Sequence, residues 1–136
     1  LADIIASSGL DFVFIDFEHG PISIEKAQEM IIAYESRLVS PLVRVSGLDE
    51  MQILRTLDIG AHGIQVPNIS KENDIKKIVN YAKFPPIGSR GLSPFTRSNN
   101  YNQINSIEYT KIANENSLIG INIESIEAAN NINKLL

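Results

Sequence analysis

The sequence contains no cysteine. That absence removes disulfide scaffolds, cysteine metal sites and a cysteine nucleophile together, and it is compatible with a reducing, cytoplasmic setting. No apolar run approaches the roughly 20 residues that span a bilayer. The opening residues, LADIIASSG, have neither a basic n-region nor a long apolar core, so they do not read as a secretion signal. No block of like charge occurs and the formal net charge is −4. A nucleic-acid surface usually carries a basic excess or stripe, so that class is disfavoured. The chain also lacks a G-x-x-x-x-G-K-[ST] phosphate loop, a G-x-G-x-x-G fingerprint and an H-E-x-x-H zinc site, which leaves nucleotide-dependent chemistry little support.

What is present is ordinary globular composition. The 136 residues are 43% hydrophobic and 21% charged, enough to bury a core as one domain. Four short runs rich in Ile and Val have the look of buried strands: Asp11 to Asp16, Pro41 to Val45, Gly63 to Pro67 and Ser117 to Glu124. Helical spacing lies between them. Ile24, Ala27, Gln28 and Ile31 share a face after Ser23, a predicted N-cap. Met51, Leu54 and Leu57 follow, with Gly60 where a left-handed C-terminal glycine belongs. Ile75, Ile78, Val79 and Ala82 repeat the pattern after Ser70 until Pro85-Pro86 ends it. Tyr109, Ile112 and Ala113 mark another helix, and Ala128, Ala129 and Ile132 the last.

Strands alternating with helices indicate parallel βαβ units. One long departure, Phe84 to Asn105, is rich in Pro, Gly, Ser and Asn, as functional or disordered loops are. The first residue is Leu, and the final NINKLL reads as mid-helix, so both ends are expected to be cuts through a larger domain. Pattern alone leaves two architectures open. One is a complete open sheet of four strands. The other is a part of an eight-stranded barrel, which typically takes about 250 residues.

In parallel α/β folds, ligands bind beyond the carboxyl ends of the strands. Asp16, Glu18, His19, Gly20 and Pro21 follow the first run. Arg44 lies near the end of the second, Pro67 and Asn68 follow the third, and Glu124 ends the fourth. His19 suits a general base, because its ordinary pKa is near neutrality, and Asp16 is a candidate to fix its tautomer. Arg44 is a charge inside an apolar strand; it meets either a substrate anion or an internal carboxylate such as Asp16 or Glu18. Glu124 is either a hard oxygen ligand for a cation or a carboxylate at a helix N-terminus. Arg90 and Arg97 lie in the long loop, where Arg90 either positions a substrate carboxylate or solvates the loop. His62 precedes its strand and reads as a surface or interface residue. No lysine lies inside the four strand runs, which weakens a Schiff-base mechanism.

The series GLDFVFIDFEHGP, PLVRV, LDIGAHGIQVPNI, FPPIGSRGLSPFTR and INIES resembles the HpcH/HpaI family of metal-dependent 2-oxo-acid aldolases, in order and over nearly the whole chain. The resemblance implies a (β/α)₈ TIM barrel of the phosphoenolpyruvate/pyruvate-domain type, of which residues 1–136 would be a single partial domain with about four strands. It implies a cytoplasmic homo-oligomer, usually a hexamer, that cleaves 4-hydroxy-2-oxo acids or 2-dehydro-3-deoxy sugar acids to pyruvate and an aldehyde. It implies a divalent metal, Mg²⁺, Mn²⁺ or Co²⁺, held by Glu124 and by an aspartate in a later G-P-x-D-L-S segment. Arg44 would contact pyruvate. His19, paired with Asp16, would be the acid–base group, acting through a water held by the metal. Asn122 and Arg90 are the further substrate-binding candidates. The family usually has Q-x-E where this chain has Asn122-Ile123-Glu124. Two alternatives stand beside this reading: a malyl-CoA or citramalyl-CoA lyase-like enzyme, and a non-catalytic βα module that binds a small acid.

Overall fold

A computed structural model describes residues 1–135. Its elements alternate as the pattern predicts: α1 (Ala2–Ala6), β1 (Phe12–Asp16), α2 (Ile24–Glu35), β2 (Ser40–Arg44), α3 (Glu50–Asp58), β3 (Gly63–Val66), α4 (Glu72–Ala82), α5 (Ser106–Asn116), β4 (Leu118–Ile121), α6 (Ile126–Asn130) and α7 (Ile132–Leu135). The local signals explain most of the boundaries. Ser23 caps α2 by accepting the Lys26 amide, and Asp49 caps α3 by accepting that of Gln52. Gly60 adopts φ +99 just past α3, a conformation a side chain would resist. Two details differ. Lys71, not Ser70, precedes α4, and its side chain makes no cap. In α3 the buried stripe is Ile53, Thr56 and Leu57, while Met51 faces outward.

The strands form one parallel sheet in the order β1-β2-β3-β4. Sequential order without a reversal separates this sheet from doubly wound ones, whose strand order turns back at a switch point. The helices cover a single face. Ile15 and Val43 pack with Ala27, Ile31 and Tyr34 of α2. Val45, Ile64 and Val66 pack with Ile53 and Leu57 of α3 and Ile78 and Ala82 of α4. Each fully buried Val, Leu or Ile in these clusters is worth about 1.5–3 kcal/mol relative to exposure.

Among the described residues the opposite face is left partly open. Alternation turns Phe12, Phe14 and Leu118 onto it, 54%, 46% and 52% exposed. A winding order with helices on one side and an apolar, uncovered other side is that of a barrel wall, and the chain is a fragment of such a barrel. The continuous apolar runs had predicted strands buried on both faces; here only the helix side is covered.

The long departure after α4 is tied down at many points. Lys83 Nζ donates to the carbonyls of Asn114 (2.8 Å) and Ser117 (2.6 Å). The Asn114 amide donates to and its carbonyl accepts from the Phe84 backbone. Arg97 donates to Glu35 and to the Ile59 carbonyl. Part of the segment, Arg97–Asn102, is a kinked 3₁₀ stretch.

Candidate active site

The rim at the carboxyl ends of the strands is built around Arg44. In the sheet register Asp16 lies beside Arg44, and Arg44 beside Gln65, so the last inward positions of three strands form one polar row. Arg44 Nε donates to Asp16 Oδ1 at 2.9 Å and Nη2 to Oδ2 at 2.6 Å. Nη1 lies 3.1 Å from Glu18 Oε2. A guanidinium has five N–H bonds; the two hydrogen bonds to Asp16 use one each, and Nη1 faces Glu18 as an ion pair.

Arg44 therefore meets internal carboxylates, the alternative that the sequence left open. The arrangement also sets the charge of the rim. The Arg44 guanidinium, with the amides of Glu18 and His19, holds the Asp16 carboxyl at about 2, well below its ordinary 3.8. The Asp16 hydrogen bond in turn pushes Arg44 upward, with the charges of Glu18 and Glu124 adding to it.

The turn after β1 is folded tightly over this pair. Asp16 Oδ1 accepts the Glu18 amide at 2.9 Å and the His19 amide at 3.4 Å. Gly20 packs against the Asp16 carbonyl so closely that an added Cβ would overlap it. Asp16 thus holds the backbone of His19 and the side chain of Arg44, not the imidazole. The His19 ring is 74% exposed, and its Nε2 lies 3.8 Å from Glu18 Oε2. The pairing expected between Asp16 and the His19 ring is not formed, because the Asp16 carboxylate is already committed to Arg44 and to the turn amides.

Glu124 joins the same rim from beyond β4. Its Oε1 accepts the Asn68 amide at 2.7 Å, and its Oε2 accepts from Asn122 Nδ2 at 3.3 Å. Asn68 reaches this position with φ +60, a left-handed conformation that Asn tolerates better than most residues. Each Glu124 oxygen keeps a lone pair, and the exposed carboxylate makes no direct ion pair among the described residues. Such an oxygen pair fits one ligand of a hard divalent cation. No group of three His, Cys, Asp or Glu side chains that could hold a metal occurs among the described residues, so Glu124 is a partial donor set.

Arg90 lies elsewhere. Its Nη2 donates to Asp58 Oδ1 at 2.7 Å, and its guanidinium carbon sits 4.5 Å over the Phe84 ring. It lines a cavity of about 1050 Å³ together with Phe12, Ser40, His62 and Leu118, residues at the starts of the four strands. Arg90 is therefore at the end opposite Arg44 and Glu124. The physical reason is topological: a segment that leaves a helix and enters a parallel strand lies at the amino end of that strand. His62 is at this end too, with Nε2 2.9 Å from Glu35 Oε1, as its position before β3 had suggested.

Gln65 is the rim residue that sequence reasoning passed over. It is a polar side chain in an apolar strand, the same signal that marked Arg44.

The family model for HpcH/HpaI aldolase/citrate lyase matches residues 1–136. The 4-hydroxy-2-oxo-heptane-1,7-dioate aldolase of Salmonella typhimurium (strain LT2) is 31% identical over 99% of this chain and 51% of its own length. The structure of an HpcH/HpaI aldolase from Desulfitobacterium hafniense DCB-2 superposes with a TM-score of 0.92 at 28% identity, covering 98% of this chain and 51% of that one. The citrate synthase SbnG superposes with a TM-score of 0.87 at 32% identity, covering 98% and 50%. The chain thus spans about half the length of the relatives it matches.

Proposed function

Because the chain belongs to the HpcH/HpaI aldolase/citrate lyase family, we propose that the full-length protein is a metal-dependent aldolase that cleaves 4-hydroxy-2-oxo acids, or 2-dehydro-3-deoxy sugar acids, to pyruvate and an aldehyde. The observation that carries the reading is the meeting of Arg44, Asp16, Glu18, Asn122 and Glu124 at one strand-end rim. Each group has a use in this chemistry. His19, solvent-facing beside Glu18, takes the proton of the 4-hydroxyl group. The C3–C4 bond then breaks, its electron pair moves toward the 2-oxo carbon, and the aldehyde leaves. The N–H bonds of Arg44 that Asp16 does not take receive the enolate oxygen that develops. Asp16 keeps Arg44 in place and lowers the cost of holding that cation at the rim. Asn122 presents its amide beside the substrate. Protonation of the enolate at C3 gives pyruvate.

Glu124 is the ligand offered by this chain to Mg²⁺, Mn²⁺ or Co²⁺, and the bound cation would polarise the 2-oxo group as a Lewis acid. The reaction run backwards joins an enolate to a carbonyl. The likeness to a citrate synthase favours that direction as a second reading. No described helix is long and apolar enough to cross a membrane, and the reading includes a cytoplasmic homo-oligomer with residues 1–136 as one part of its barrel domain.

The test is pyruvate release by the purified full-length protein from a panel of 4-hydroxy-2-oxo acids, before and after chelation. We expect release that stops with EDTA and returns with Mn²⁺ or Mg²⁺. Release that survives complete chelation would remove the metal, and no release from any member of the panel would remove the aldolase.

A further inference from the structure

The rim contains a relay of side-chain amides, one of which, Gln65, has no role in the reaction above. Gln65 Nε2 on β3 donates to Asn122 Oδ1, just past β4. Asn122 Nδ2 in turn donates to Glu124 Oε2 at 3.3 Å. The remaining oxygen of Glu124 is held by the Asn68 amide at 2.7 Å, and Asn68 directly follows β3 by way of Pro67. Two contacts from the β3 side therefore brace the acidic group that follows β4.

We propose that Gln65 is a positioning residue: it fixes the orientation of the Asn122 amide and, through it, the Glu124 carboxylate. This inference rests on the reading of Glu124 as a cation ligand. A carboxylate accepts only, so Asn122 must turn its NH₂ toward Glu124. Its oxygen then faces β3 and needs a donor there. Gln65 supplies one. Without it the Asn122 amide would lose the bond that fixes its direction, and a flipped amide would set oxygen against oxygen at Glu124.

Position favours the same assignment. Gln65 pairs in register with Arg44 on one side and Gly120 on the other, so it stands in the polar row between the guanidinium and the acid. Gly120 has no side chain to fill the space that the glutamine crosses. Gln65 is half-buried, in a strand whose neighbours Ile64 and Val66 are fully buried on the helix side. An isosteric apolar residue would fold as well there.

The experiment compares Gln65→Met and Gln65→Glu with wild type in the full-length protein. It measures Mn²⁺ affinity by titration and kcat and KM for pyruvate release. Methionine keeps the shape and removes the donor. Glutamate keeps the shape and reverses the relay, because it offers only an acceptor to Asn122. Loss of an outer hydrogen-bond partner typically weakens metal binding or activity by about 10–100-fold. We expect Gln65→Met to weaken Mn²⁺ binding by about tenfold and to lower kcat more than it changes KM. Gln65→Glu should be no better, although it is the closer isostere. Wild-type Mn²⁺ affinity and kcat in Gln65→Met would overturn the proposal, and so would an affinity in Gln65→Glu that matches wild type. Wild-type protein that binds Mn²⁺ but releases no pyruvate would instead remove the aldolase reading, while the affinity comparison still decides the role of Gln65.

Discussion

Asp16 and Arg44 sit side by side in register on β1 and β2 and close a two-point ion pair, Nε to Oδ1 at 2.9 Å and Nη2 to Oδ2 at 2.6 Å. The pair is partly open to solvent, so screening reduces its worth below that of a buried pair. It also carries a pH signature. The Asp16 carboxyl is held at about 2 against an ordinary 3.8, so folding favours its ionised form. That contribution is fully present above about pH 4 and is lost as pH falls toward 2. Asp16→Asn should lower stability at neutral pH, and its difference from wild type should shrink over that acid window. Denaturant midpoints measured from neutral to acid pH check this; a difference that stays constant to pH 2 would contradict it.

His19 is tested by removal. Its ring is largely exposed, so His19→Ala should leave the unfolding midpoint nearly unchanged, as surface substitutions do. A lost general base typically costs about 10²–10⁴ in rate. We expect kcat for pyruvate release to fall by at least about 100-fold in the full-length protein. A variant that keeps most of its activity would return the base assignment to Glu18 or to solvent.

Arg90 should behave as a structural residue. Its side chain is buried, and it bonds Asp58 while stacking on Phe84. Arg90→Met would leave the partly buried Asp58 without its cation, which costs about 1.5–3 kcal/mol. The unfolding midpoint should drop while KM for the 2-oxo acid stays put. A raised KM with unchanged stability would show that the long loop reaches the rim after all.

Gly60 makes a local prediction at the same end. Its φ is +99, and an added Cβ would overlap the Arg97 guanidinium that reaches Glu35 and the Ile59 carbonyl. Gly60→Ala should destabilise the chain by about 1–3 kcal/mol. Combining it with Arg97→Ala should cost less than the two single losses added together, because the clash is removed. Strict additivity in thermal unfolding would count against this contact.

The parts of the fold that were legible in the sequence are those set by local rules. Buried runs became β1 to β4 because Ile and Val recur in short segments flanked by turns, and Ser23 and Gly60 marked helix ends by side-chain and backbone chemistry. Arg44 and Glu124 stood out because a charge at the end of an apolar strand demands a partner. Long-range relationships were less visible. Composition leaves open whether Arg90 of the long loop meets a substrate or only solvates the loop, whereas the connection from α4 to β4 fixes the segment at the strand starts. The neighbour of the His19 ring was also hidden, since sequence proximity favours Asp16 while the guanidinium on the adjacent strand competes for that carboxylate. Gln65 carried a readable signal, but its meaning depends on Asn122, which is 57 positions distant. The choice between an open sheet and a barrel wall needed strand order and the uncovered face, neither of which any periodicity encodes.

That uncovered face has a companion at its borders. With β1 first and β4 last in the sheet, each has one flank whose amides and carbonyls meet no neighbouring strand within it. Flanks of that kind are templates for further strand addition, and here they border exposed Phe12, Phe14 and Leu118. Produced as a stand-alone polypeptide, this stretch would be adhesive, recruiting other copies through its margins until turbidity or filaments appear, and a solubility screen of such a preparation would meet that hazard before any enzymology.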